Sequence, residues 1–78
     1  MSIGKAEALA SARKLVRTFG SAPDPRRHAR TFLGLLTKVE GWSTEQVKHV
    51  GDLEAWLDSQ PPIGELRAHC DELLARLS

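Results

Sequence analysis

Seventy-eight residues, 41% hydrophobic, 27% charged and 5% aromatic, describe one small domain and leave no room for a second. Eleven Lys and Arg against ten Asp and Glu give a net charge of +1, which excludes the bulk positive charge that coats nucleic acid and leaves local clustering as the route to an anionic partner. A chain this short relies on disulfides, a metal, oligomerisation or regular helix packing, and its one cysteine, Cys70, excludes an intrachain disulfide.

Turn-forming residues divide the chain into four segments, each of which repeats its apolar residues at a period near 3.6 rather than 2. β-Branched and aromatic residues are scattered, and no Asn-Gly or Asp-Gly hairpin signal separates alternating runs. The expectation is an all-α, compact four-helix domain with antiparallel neighbours, spanning residues 1–78, with helices over about 3–19, 25–40, 44–59 and 63–77.

The first helix places Leu9, Ala12, Leu15, Val16 and Phe19 on one stripe, with Gly20 as its left-handed stop and Pro23 blocking resumption. Arg13, Lys14 and Arg17 lie opposite that stripe near the C-terminal end, where cations complement the helix dipole. The second helix starts at Asp24 as N-cap with Pro25 in the first turn and is expected to stop at Gly41. Its apolar face is Ala29, Phe32, Leu33, Leu35, Leu36 and Val39. Arg26, Arg27, Arg30 and Lys38 occupy the other face. Three arginines in the first two turns oppose the dipole by about 0.3–1 kcal/mol each, which hints at a role other than structure.

Ser43-Thr44-Glu45-Gln46 is a capping box for the third helix, with Trp42 and Val47 as the flanking staple. Val47, Val50, Leu53 and Leu57 form its expected buried stripe, and His49 and Trp56 widen one edge. Pro61-Pro62 ends it. In the fourth helix Ile63, Leu66, Cys70, Leu73, Leu74 and Leu77 share a narrow seam that closes a bundle or pairs with a second chain.

Charge divides unevenly along the chain. Residues 1–40 hold eight cations against three carboxylates, for +5, and residues 41–78 hold three against seven, for −4. Segregated in space, these halves make the first two helices an electropositive surface. The candidate partner-binding residues are Arg13, Lys14, Arg17, Arg26, Arg27 and Arg30, with Trp56 as an aromatic anchor beside His49.

A helix-turn-helix over residues 36–50 fits poorly, because Glu40 falls at an apolar position and Glu45, Asp52, Glu54 and Asp58 on the would-be recognition helix repel DNA. Metal binding lacks support: no CxxC or HxxxH spacing occurs, and the neighbouring His69 and Cys70 point about 100° apart on a helix. A four-helix domain of this size has little room for a catalytic cleft. No enzymatic activity, cofactor or metal is therefore expected.

No apolar run of about 18 residues is present for a membrane span, and Lys5, Glu7, Arg13, Lys14 and Arg17 interrupt any export signal in the first twenty residues. With the lone cysteine on an apolar stripe, a cytoplasmic setting is expected. The absence of Asn and Tyr, beside nine Ala, eleven Leu and seven Arg, points to a GC-rich bacterial or phage genome.

The resulting reading is a small non-enzymatic binding module of regulator or inhibitor type. It meets a larger protein through the basic face of the first two helices or through an apolar helix edge. Nucleic-acid binding, with the same arginines on phosphates, is the alternative. Leu33 and Leu35 at the edges of the second helix are surplus apolar positions that a homodimer would cover.

Overall fold

The computed structural model describes residues 3–78. Four α-helices form the domain: α1 (Lys5–Arg17), α2 (Pro25–Thr37), α3 (Thr44–Asp58) and α4 (Leu66–Leu77). Consecutive helices pack against each other as antiparallel neighbours, α4 closes back onto α1, and α2 also reaches α4 across the centre. Phe32, Leu36, Leu66 and Cys70 fill that centre and are fully buried. The α4 seam is internal: Leu66, Cys70, Leu73, Leu74 and Leu77 are all buried in the one core.

Each helix is shorter than its periodicity implies, and side chains explain where the backbone departs. α1 ends at Arg17, with Phe19–Ser21 continuing as a 3₁₀ turn. Gly20 is not its left-handed stop, since Gly41 is the positive-φ glycine among the described residues. Side chains capture the last carbonyls of α1 instead. The Thr18 hydroxyl is 3.0 Å from the Lys14 carbonyl and 3.2 Å from that of Leu15, and His28 Nε2 also reaches Leu15.

α2 begins as expected, with the Asp24 carboxylate accepting from the Arg27 amide at 3.2 Å. It ends at Thr37, before Gly41. The Trp42 indole N–H donates to the Leu36 carbonyl at 3.0 Å and folds the chain back, while Val39 leaves the helix and pairs with Ile3 in an isolated parallel bridge. Ile3 thus lies outside α1.

The capping box of α3 is present in both directions: Ser43 Oγ accepts from the Gln46 amide at 3.1 Å, and Gln46 Oε1 accepts from the Ser43 amide at 2.8 Å. Gln46 Nε2 also donates to the Leu77 carbonyl at 3.3 Å. That bond turns Gln46 towards α4, so the packed row runs Gln46, Val50, Leu53, Leu57. Val47 is displaced from the core and is 56% exposed. Ile63, expected in the α4 seam, is 51% exposed because Ile63–Glu65 forms a 3₁₀ turn ahead of the helix.

Candidate functional site

The six basic candidates are all exposed, on α1 and on the first half of α2. One of them crosses to the acidic half of the molecule: Arg30 donates to Asp58 on α3 at 2.7 Å. Arg13 reaches the Ser78 hydroxyl at 3.3 Å. Among the described residues, Arg13, Lys14, Arg17, Arg26 and Arg27 have no carboxylate at salt-bridge distance. Arg30 therefore departs from the expected segregation of charge by pairing with α3.

The cations do not converge on one point. Lys14 opens on the groove between α1 and α2, together with Ser11, Leu15, Thr18 and, from α2, Thr31, Gly34, Leu35 and Lys38. Arg27 lines a smaller hollow next to it that shares Thr31 and also includes His28 and Asp24. Arg17 lies on the other side of α1, in the α1–α4 groove with Arg67 and Asp71. Lys14, Lys38 and Arg27 thus belong to one continuous strip of surface, whose lining does not include Arg13, Arg17 or Arg30.

The α1–α2 groove has a volume of about 570 Å³, within the size range of ligand sites. Its apolar residues are Leu15 and Leu35, both half-buried and packed against the core. Its polar residues are three hydroxyls and two lysines, and no carboxylate lines it. Lys38 and Gly34 are the residues that the charge-cluster reasoning passed over. The available signal was Leu35 at the edge of the α2 stripe, one turn from Lys38 on the same helix.

His28 holds this surface together from below. Its Nε2 lies 2.6 Å from the Leu15 carbonyl oxygen and 3.3 Å from Thr18 Oγ1, and its ring meets Phe19 edge-on at 4.6 Å. It is a half-buried structural imidazole. Trp56 is also half-buried, with His69 stacked on its ring at 3.7 Å and 7°. The remaining histidine, His49, faces Glu45 one turn back at 3.7 Å.

Compared with family models, curated proteins and solved structures, the chain matches none. The functional reading therefore rests on its own residues. Cys70 takes no part in the surface, since it is fully buried and burial pushes its thiol up to about 12. Glu72 is held below the usual carboxylate range by the Arg76 guanidinium, 2.8 Å away on the next turn of α4. Among the described residues, no helix is long and apolar enough to cross a membrane.

Proposed function

We propose that this chain is a small non-enzymatic binding module of bacterial or phage regulator type, acting in the cytoplasm by docking on a larger protein through the outer face of α1 and α2. The observation that carries the reading is the α1–α2 groove, which exposed Lys14 and Lys38 line together with half-buried Leu15 and Leu35 and no carboxylate. An apolar floor with an unneutralised basic rim favours a protein surface that offers both apolar and acidic side chains. The basic first turns of α2 support the same reading. Arg26 and Arg27 stand at the positive end of the helix with no acidic residue in the first turn, the Asp24 N-cap being the one carboxylate beside them. Trp56 remains an anchor only through the part of its ring that His69 leaves open.

A second reading is favoured by one observation: among the described residues, Arg17, Arg26 and Arg27 carry guanidinium groups without a carboxylate at salt-bridge distance, a chemistry suited to phosphate. In that case the chain binds nucleic acid through the backbone without reading bases.

Affinity capture from a bacterial lysate, before and after nuclease digestion, separates the two. A protein partner survives digestion, is weakened by the Arg26→Gln/Arg27→Gln/Arg30→Gln variant and is lost from Lys14→Glu/Lys38→Glu, whereas a nucleic-acid partner is lost from the arginine variant. A nucleic-acid partner disappears with nuclease, and its affinity falls steeply between about 50 and about 200 mM salt. Failure to retain any macromolecule in either condition overturns the binding-module reading.

A further inference from the structure

We infer that the α1–α2 groove is the seat of an amphipathic helix from the partner, with an apolar ridge resting on Leu15 and Leu35 over Gly34 and carboxylates on its flanks meeting Lys14 and Lys38. The inference rests on the protein-binding reading above and names the chemistry of the occupant.

Gly34 is the first ground. It lies in the interior of α2, where glycine weakens a helix relative to alanine. Nothing among the described residues asks for it: its φ is not in the left-handed region, and a Cβ at that position would meet no atom within 4 Å. Gly34 is nevertheless part of the groove lining, between Thr31 and Lys38. A missing side chain at that point leaves the floor open, so that a ridge from outside can approach the α2 backbone closely.

Charge is the second ground. Lys14 and Lys38 come from opposite walls, one on α1 and one on α2, and neither has a carboxylate at salt-bridge distance among the described residues. Arg27 extends the same sign into the neighbouring hollow, where the one carboxylate, Asp24, accepts from the Arg27 amide as the α2 cap. The complementary occupant is acidic on both flanks.

The third ground is backbone chemistry. An extended peptide is held by hydrogen bonds to an exposed strand edge, and the described residues include no strand beyond the single Ile3–Val39 bridge. Polyproline segments dock between aromatic rings, and no aromatic residue lines this groove. A helix satisfies its own backbone and needs from the groove only apolar contact and rim charge. A phosphate backbone gains nothing from Leu15 and Leu35.

The test uses four probes in NMR titrations of the full chain: a synthetic helical peptide with a leucine ridge flanked by glutamates, the same ridge flanked by lysines, the glutamate-flanked helix with an alanine ridge, and a short DNA duplex of mixed sequence. The expected result is saturable amide shifts confined to residues 11–18 and 31–38 with the leucine–glutamate peptide, and affinity at least about tenfold weaker for the other two peptides. Gly34→Leu fills the groove and is expected to lose at least about tenfold in affinity while melting no lower than the wild type, which separates loss of the seat from loss of the fold. Lys14→Glu/Lys38→Glu should reverse the preference between the two leucine peptides. Unchanged affinity in Gly34→Leu, shifts mapping elsewhere, or no binding of the leucine–glutamate peptide overturns the inference. Groove shifts with the duplex that depend on Lys14 and Lys38 overturn it in favour of a phosphate seat. Capture from lysate answers separately whether the chain binds a macromolecule at all.

Discussion

His28 on α2 reaches back to α1, where its Nε2 lies 2.6 Å from the Leu15 carbonyl oxygen. A carbonyl only accepts, so Nε2 carries the proton and donates it, and a carbonyl in the last turn of α1 gains a partner from the next helix. Replacing His28 with Phe keeps a ring against Phe19 and removes the donor. Leu15 retains the Thr18 hydroxyl at 3.2 Å, so the carbonyl is not left unpaired. The expected loss is about 0.5–1.5 kcal/mol. His28→Ala, which also gives up the edge contact with Phe19, should cost more. Urea denaturation followed by circular dichroism measures both.

The Arg30–Asp58 pair is short at 2.7 Å, yet the two side chains are 47% and 64% exposed. Solvent and salt screen such a pair, and ordering two long side chains offsets its attraction, so its coupling energy is expected between 0 and about 1 kcal/mol. A double-mutant cycle with Arg30→Gln and Asp58→Asn reads that value, which should shrink further as salt is raised. Coupling well above this range would mean that Arg30 fastens α2 to α3 and is not free to contact a partner.

The local signals in the sequence were legible and the relations between helices were less so. The Ser43–Gln46 capping box and the Asp24–Pro25 start each depend on residues within one turn, and both are present as read. Val47 and Ile63 share the period of their helices but not the core, because that period fixes an apolar sector only to within about one residue. Gln46, bonded to the Leu77 carbonyl, decides which residue of α3 faces inward, and that bond spans 31 positions. The groove was half legible for the same reason. Leu35 stands out as an edge residue in the pattern of α2, but its meeting with Leu15 across the groove follows from the docking of two helices. The charge imbalance between halves was plain in the sequence, whereas the pairing of Arg30 with Asp58 depends on how α2 lies on α3.

Cys70 is fully buried on α4, and burial pushes its thiol from 9.0 up to about 12. A disulfide-exchange reagent at neutral pH should leave it unmodified in the native state and react only as fast as the chain unfolds. The same shift links stability to pH. Between about pH 9 and 12 the unfolded thiol has lost its proton and the folded one has kept it, so the unfolded state binds fewer protons and stability falls as pH rises. Below that window the contribution is fully present. The quantity to measure is the difference between the wild type and Cys70→Ala across the pH series, which should diminish towards high pH.

Two glycines are expected to respond to alanine with opposite signs, and the contrast bears on why Gly34 is there. Gly41 has φ +100 between α2 and α3, where an L side chain is strained whatever space surrounds it. Gly41→Ala should destabilise by about 1–2 kcal/mol. Gly34 sits in ordinary helical backbone with open space at its Cβ, so Gly34→Ala should stabilise by about 0.5–1 kcal/mol through the gain in helix propensity. Thermal melts of the two variants check both signs. A gain at Gly34 would show that the native residue costs the fold stability, as expected when a surface is kept open for contact at the expense of the helix that carries it. A loss there would mean that alanine is resisted by packing within the chain, and the open floor of the groove would need another cause.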